Sequence, residues 1–313
     1  MTINAAHPEP PLSWKLQGRS NRRRRERLVH AVLLAAALVS VLVSALIVVS
    51  LLGGAVDFLS RIDPSQLLAD GWYPRRDEFG LLTLFAGSLL VTGMATLVAV
   101  PIGLLAAIYL AEYANRRARR IVKPVLEILA GIPSVVLGFF ALTWLSPHVV
   151  QRLNPSASDF NLMAAGLGVG VLTIPLIASV SEDAMRAVPA SIREASYGLG
   201  ARRITTSLAV VIPAATSGIV AAVILGVSRA VGETMVVAVA AGGSGGARFT
   251  LDPYDQGQTI TAAMASLAAG TDQVAGGNAA YQSLFFLGLL LFAVTFVLNQ
   301  VGDVFVRRTR QQY

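Results

Sequence analysis

Six long uncharged runs constrain this chain more than any other feature. Leu28–Val56, Leu81–Ala111, Ile128–Gln151, Phe160–Ser181, Ile204–Val227 and Gln273–Gly302 contain no Asp, Glu, Lys or Arg. Each exceeds the roughly 20 residues that a helix needs to cross a ~30 Å hydrocarbon core. Only 14% of the 313 residues are charged, against about 25% in soluble domains, and the deficit lies in these runs. They predict an all-α membrane protein with six transmembrane helices.

The formal net charge of +7 does not point to nucleic acid, because the basic residues sit beside the spans, where they set orientation. Nineteen of the 25 Lys and Arg residues fall in the N-terminal tail, in 112–127, in 182–203 and at the C-terminus, and Asp57–Gly80, Ser146–Asp159 and Gly242–Asp272 hold few. Basic residues accumulate on the cytoplasmic side, so both termini and those two loops are expected there. The chain has no cysteine, and His7, His30 and His148 are scattered, which leaves no sequence case for a metal site. Residues 1–27 read as a disordered basic tail. The run at 28–56 is about twice the ~7–15 residues of a signal-peptide core, so it reads as an uncleaved first span.

An outer loop follows at 57–80, where Trp72–Tyr73–Pro74 reads as an interfacial aromatic anchor. The core, 81–305, has expected spans at about 81–111, 124–146, 160–182, 205–241 and 280–304. Pro101, Pro133 and Pro175 read as kinks inside spans. Gly242–Gly246 breaks any continuing helix. Within 247–280, the mildly apolar Gln258–Ala269 is too short to span and reads either as a loop helix or as a re-entrant one.

The run ILGVSRAVGETMVVAVAAG, residues 224–242, carries Arg229 and Glu233, the only charges between Ile204 and Ala247. An uninterrupted helix puts them four residues apart on one face, roughly 6 Å along the axis. Two readings stand. The pair holds the bundle, or Arg229 faces a translocation path and meets an anion while Glu233 masks it. An arginine at mid-span costs about 2.5–3.5 kcal/mol on insertion scales, and an apolar residue carries no such cost, which favours the functional reading. Ser228 and Thr234 add hydroxyls to the same path. Glu233 is also suited to accept a hydrogen bond from an oxyanion that still carries a proton, which a fully ionised oxyanion lacks. Glu127 and Glu182 read as solvated span ends, and Asp183 and Arg186 as helix caps or partner contacts.

The loop 183–204 contains SIREASYGLGARRITTSLAVVIP, residues 191–213. Ser191 and Glu194 have the spacing of a capping box, and Gly198 and Gly200 supply a tight elbow before the chain re-enters the membrane. Glu194–Ala195–Ser196, three residues, Gly200, nine residues and Val210–Val211–Ile212–Pro213 resemble the EAA loop of ABC-importer permeases. AIYLAEYA (107–114), KPVLEILAGIPSVVLGFFAL (123–142) and SRAVGETM (228–235) extend the resemblance to the C-type permease subunits of phosphate-specific ABC importers. It covers residues 75–240 closely and 281–299 loosely.

The resemblance implies a type I ABC-importer permease fold and a chain that conducts inorganic phosphate without bond chemistry of its own. It implies that Glu194, Ala195, Ser196 and Gly200 couple to an ATPase, and that the charges at Arg229 and Glu233 take part in phosphate passage. The implied partners are a homologous second permease, two ATP-binding subunits, an extracytoplasmic phosphate-binding protein and lipid, with no nucleic acid. Lys15 and Lys123 are the only lysines and neither follows glycine, so the chain has no phosphate loop for ATP. ATP and Mg are expected on the partner ATPase. The rival readings are a permease for molybdate, sulfate or phosphonate, and a proton-coupled anion transporter, which leaves the EAA-type loop without a purpose.

Overall fold

The structure, a computed structural model, describes residues 20–243, 246–270 and 279–309. Residues 1–19 of the expected tail, Ser244–Gly245 of the glycine run, and 271–278 lie outside the described residues. Six helices are long and apolar enough to cross a membrane.

The first, α1 (Ser20–Arg61), begins inside the tail expected to be disordered. Once the apolar run has nucleated a helix, each added residue gains a hydrogen bond at little cost, and arginine is a good helix former. The part up to Ser50 forms a compact unit by itself. Leu28, Leu33 and Val41 are among its exposed apolar side chains, as expected of a helix surface made to face hydrocarbon.

The second unit, Leu51–Tyr313, holds the rest. Here the end of α1 buries Phe58 against Phe79, with ring centroids 5.1 Å apart, and Phe79 meets Trp72 at 5.6 Å. Trp72 is therefore a core residue, 1% exposed, and not the interfacial anchor expected. Its strand β1 (Trp72–Tyr73) pairs with β2 (Glu78–Phe79), and the Trp72 backbone exchanges two 2.9 Å hydrogen bonds with Ala247. Nearby, Asp63 caps the short helix Pro64–Leu68. The backbone N–H of Ser65, and then its hydroxyl, hold the Asp63 carboxyl below its ordinary range.

Helix α2 (Leu81–Ile108) continues through a π-helical turn, Tyr109–Tyr113. It is followed by α3 (Arg116–Ala130), capped where Asn115 Oδ1 accepts from the Ala118 N–H at 2.7 Å. The span expected at 124–146 is displaced. Residues 124–130 belong to the amphipathic α3, the chain breaks at Gly131–Pro133, and the crossing helix α4 runs Ser134–Leu153. Pro133 sits at the N-cap of α4, because proline disfavours helical geometry in the residue before it. It separates two helices where a kink in one was expected.

Helix α5 (Leu162–Arg186) is the hub. Its apolar window is 61% buried, against 6% for the last helix, α10 (Ala279–Thr309), so α5 is central and α10 faces outward. Gly166 and Gly170 let α5 approach the backbone of α2 at Val91 and Ala95. After α6 (Ala190–Gly198), the chain forms α7 (Arg203–Val231), α8 (Met235–Ala240) and α9 (Ile260–Ala268).

The span expected at 205–241 is thus two helices broken at Gly232–Thr234. A break inside the bundle needs partners for freed backbone groups. Thr261 Oγ1 donates to the Glu233 carbonyl at 2.8 Å, and Glu233 Oε1 accepts from the Val236 N–H at 3.3 Å. Thr261 belongs to α9, whose Ile260, Ala263 and Leu267 are buried. Of the two readings of this segment, the structure has the helix that enters the bundle. The Ser88 hydroxyl of α2 accepts from the Ile260 N–H at 3.1 Å, and Gly87 abuts the Gln258 carbonyl oxygen.

A Cβ at Gly87 meets that backbone oxygen, whereas one at Gly93 on the same helix meets nothing within 4 Å. Overpacking of this kind costs about 1–3 kcal/mol. Gly87→Ala is therefore expected to lower the thermal unfolding midpoint of the purified protein in detergent. Gly93→Ala, which improves helix propensity, is expected to leave it unchanged or raise it.

Candidate functional site: buried carboxylates and a clamped helix on the basic face

The ends of α2 and α5, with α3, α6 and the start of α7, carry eight Arg residues: Arg116, Arg117, Arg119, Arg120, Arg186, Arg193, Arg202 and Arg203. Two buried carboxylates organise this region. Glu112, in the π-helical turn that ends α2, is 6% exposed, and Glu182, in the last turn of α5, is 0% exposed. Neither is the solvated span end that Glu182 was expected to be. A buried carboxylate needs a charged, hydrogen-bonding partner, and each has one.

Glu112 is held by Arg193 of α6. Arg193 Nη2 donates to Glu112 Oε1 at 3.0 Å and Nε to the same oxygen at 3.3 Å. The same guanidinium donates to the carbonyls of Val188, at 2.6 Å, and Met185, at 2.8 Å. Those carbonyls lie where α5 gives way to α6, so one side chain fixes the short helix to two spans. Arg203, at the start of α7, donates to the Glu112 carbonyl and lies over the Tyr113 ring at 5.1 Å.

Clamped this way, α6 leaves Glu194, Ala195 and Tyr197 exposed, and Leu199 just past its end is 90% exposed. The helix starts at Ala190 after Pro189, with no side-chain cap. Ser191 is therefore inside the first turn and forms no capping box. The elbow is as expected: Gly200 has a φ of +82°, which L side chains rarely adopt. Ser196 faces inward, its hydroxyl 2.9 Å from that of Thr206.

Glu182 is held from three sides. Arg119 of α3 pairs with Oε1, Arg186 lies 3.9 Å from the same oxygen, and Lys123 Nζ lies 3.4 Å from Oε2. Lys123 also reaches Asp183 at 3.5 Å, so Asp183 and Arg186 belong to this network. Beside it is a cavity of about 210 Å³ lined by residues of α3, α5 and α7, among them Lys123, Glu127, Ser179, Glu182 and Arg229.

Arg229 thus shares a cavity with Lys123 and Glu182. Among the described residues no ion pair joins it to Glu233. The break after Val231 takes Glu233 off the helix face that carries Arg229, which corrects the expected geometry. The other two path candidates also part from it. Ser228 Oγ donates to Asn299 Oδ1 of α10 at 3.2 Å and faces an apolar groove with Ile224 and Phe305. Thr234 Oγ1 donates to the Gly232 carbonyl at 3.3 Å.

Arg119, Lys123, Glu182, Glu112 and Arg193 were not singled out as site residues from the sequence. A signal for the first three existed. Arg119 and Lys123 are four apart, as are Glu182 and Arg186, so each pair shares a helix face. Nothing local marks Glu112 and Arg193 as partners, because 81 residues separate them.

Residues 99–311 match the family described as binding-protein-dependent transport system inner membrane component. The chain belongs to this family. It is 33% identical to the probable ABC transporter permease protein YqgH of Bacillus subtilis, over 90% of this chain and 91% of that one. It is 32% identical to the phosphate transport system permease protein PstC of Haemophilus influenzae, over 88% and 91%. The PstC of Mesorhizobium japonicum is 31% identical over 90% of both chains. Among solved structures, a bacterial alginate ABC transporter bound to its periplasmic protein superposes with a TM-score of 0.67 at 15% identity, covering 93% of this chain and 98% of that one. The MetNI methionine transporter superposes at 0.53 and 21% identity, over 74% and 95%. The fold is the type I ABC-importer permease fold.

Removing one partner of a buried ion pair costs about 3–5 kcal/mol, because the other is left uncompensated. Arg193→Gln is expected to lower the thermal unfolding midpoint of this permease in detergent. The double variant Glu112→Gln/Arg193→Gln is expected to recover part of the loss. Equal midpoints for wild type and the single variant would show that the clamp carries no stability.

Proposed function

We propose that this chain is the permease subunit of an ATP-driven importer of inorganic phosphate and provides the translocation path. What supports the substrate is the pair of cations, Lys123 and Arg229, in one cavity of a chain whose relatives include phosphate transport permeases. Guanidinium stays charged, and its planar fork suits phosphate oxygens. Two cations shared with carboxylates favour brief contact, which a conduit needs so that the substrate can leave.

The observation that carries the reading of a coupled machine is α6: short, exposed along Glu194 and Ala195, and tied to α2 and α5 through Arg193. In this proposal α6 docks on a separate ATPase, which holds ATP and Mg, and the chain itself is not an enzyme. ATP-driven closure of two such ATPases shifts α6, and the Arg193–Glu112 clamp passes the displacement to the spans. A homologous second permease completes the path, and an extracytoplasmic binding protein delivers phosphate to the face with few basic residues. Both termini and the Arg-rich face lie in the cytoplasm of the bacterial inner membrane. The basic loops support this side, since Lys and Arg are retained there. In the same reading Glu233 borders the path at the break between α7 and α8, Ser228 and Thr234 hold their own segments beside it, and Ser196 and Gly200 belong to the part that meets the ATPase.

The test is uptake of labelled phosphate into proteoliposomes that hold this chain with its partner permease, ATPase and binding protein. ATP is inside, and sulfate and molybdate compete outside. Wild type is expected to take up phosphate only with ATP and to resist both competitors. Arg229→Gln is expected to lose at least tenfold in rate while the complex still assembles. Uptake of another oxyanion in place of phosphate would overturn the substrate. Uptake driven by a proton gradient without ATP would overturn the mechanism.

A further inference from the structure

Resting on the reading that phosphate passes this chain, we propose that Glu182, with Lys123 and Arg229, forms a subsite that selects an oxyanion still carrying a proton. The buried Glu182 carboxylate has one oxygen without a hydrogen bond. Glu182 is 0% exposed, yet its Oε2 has no hydrogen-bond partner. Lys123 Nζ, 3.4 Å away, is within ion-pair range without hydrogen-bond alignment. Buried polar atoms are nearly always paired, and an unpaired one costs about 1–3 kcal/mol, more when charged. Glu182 lines the cavity that Lys123, Ser179 and Arg229 also line.

A cavity of about 210 Å³ has room for a tetrahedral oxyanion and a few waters, at about 30 Å³ per water. Lys123 and Arg229 offer such a guest two cations, Glu127 and Glu182 stand beside them as acceptors, and Leu126, Leu172, Pro175 and Leu176 make up much of the remaining lining. Lys123 and Arg229 come from α3 and α7 and so can approach an anion from two directions. Oε1 of Glu182 stays with Arg119 and near Arg186. An anion that draws Lys123 toward itself therefore does not strip Glu182 of its cations. Asp183 Oδ1 reaches the same Lys123 Nζ only at 3.5 Å, and its side chain is 65% exposed.

Selectivity follows from the acceptor. A carboxylate has no proton to donate and can only accept. Inorganic phosphate near neutral pH keeps at least one hydroxyl, which can donate to Oε2 while its other oxygens meet Lys123 and Arg229. Sulfate has no proton there, so one of its oxygens faces the carboxylate oxygen unscreened. Specificity built by repulsion of the wrong partner needs no tight grip on the right one. Glu233, expected from the sequence to do this, accepts from the Val236 N–H through its Oε1 at 3.3 Å.

The binding protein upstream can mask selectivity in the permease, so the experiment leaves it out. Equilibrium binding of radiolabelled phosphate and of radiolabelled sulfate is measured on the assembled permease–ATPase complex in nanodiscs. Wild type is expected to prefer phosphate at least tenfold. Glu182→Gln is expected to cut the preference below threefold by raising sulfate binding as well as lowering that of phosphate. Lys123→Gln is expected to weaken both anions about equally, by roughly tenfold. A Glu182→Gln complex that assembles with its preference intact overturns the proposal. If that variant does not assemble, Lys123→Gln decides: unchanged binding of both anions overturns the proposal, and parallel weakening supports it. Phosphate uptake in the reconstituted importer without discrimination by the wild-type complex removes the subsite alone. Failure of phosphate uptake removes the reading beneath it.

Discussion

Two buried carboxylates, each fastened to guanidinium groups from other segments, hold the basic face of this permease together. Glu112 ties α2 to α6 through Arg193, whose remaining donors reach the end of α5. Glu182 ties α5 to α3 through Arg119 and Lys123. Neither α3 nor α6 contains a fully buried residue, so these pairs are a large part of what ties them to the spans, beside the packing of Ile192 and the Ser196–Thr206 contact of α6. Charge pairing at the membrane edge does for these short helices what apolar packing does for the spans.

The opposite constraint governs the bundle interior, where backbone groups have no water to turn to. The break at Gly232–Thr234 is possible only because α9 brings the Thr261 hydroxyl to the Glu233 carbonyl and the Glu233 carboxylate turns to the Val236 N–H. Helix α9 in turn reaches that depth because Gly87 has no side chain where the Gln258 carbonyl passes, and because Ser88 bonds the Ile260 N–H. The discontinuity and the buried short helix are therefore one feature. Irregular backbone at membrane depth is tolerated where protein surrounds it or where it lines a cavity.

The spans were legible in the sequence because the absence of charge over 20 or more residues has one physical solution, and the family resemblance rested on a long fixed spacing around Glu194 and Gly200. What escaped the sequence was set by contacts between distant segments. A continuous apolar run gave no sign that Gly232 ends a helix, since the partner that makes the break tolerable, Thr261, lies 28 residues on. Pro133 looked like a kink because 124–146 is apolar on average, although residues 124–130 complete an amphipathic helix whose polar face begins at Arg116. Glu182 looked solvated because it stands at the end of an uncharged run. Burial of a carboxylate depends on where α3 lies, and no local pattern encodes that. Trp72 was misassigned for the same reason: interfacial and buried tryptophans look alike until the strand that covers them is known.

These features bear on why a permease keeps expensive charges at all. Arg229 could have been neutralised locally by a carboxylate one helical turn away, and the break after Val231 prevents that. Glu127 of α3 and Glu182 of α5 line the same cavity as Arg229. A guanidinium sealed in an intrahelical pair stabilises the fold but offers an anion nothing. A guanidinium with no compensation would hold an anion too long to conduct it. In the proposed path, Lys123, Arg229, Glu182 and Glu127 line one cavity, an arrangement between those extremes that requires α3, α5 and α7 to be held in register. That is the service the buried carboxylate pairs at the edge perform, so the same interactions that fix the short helices also set the charge balance of the cavity.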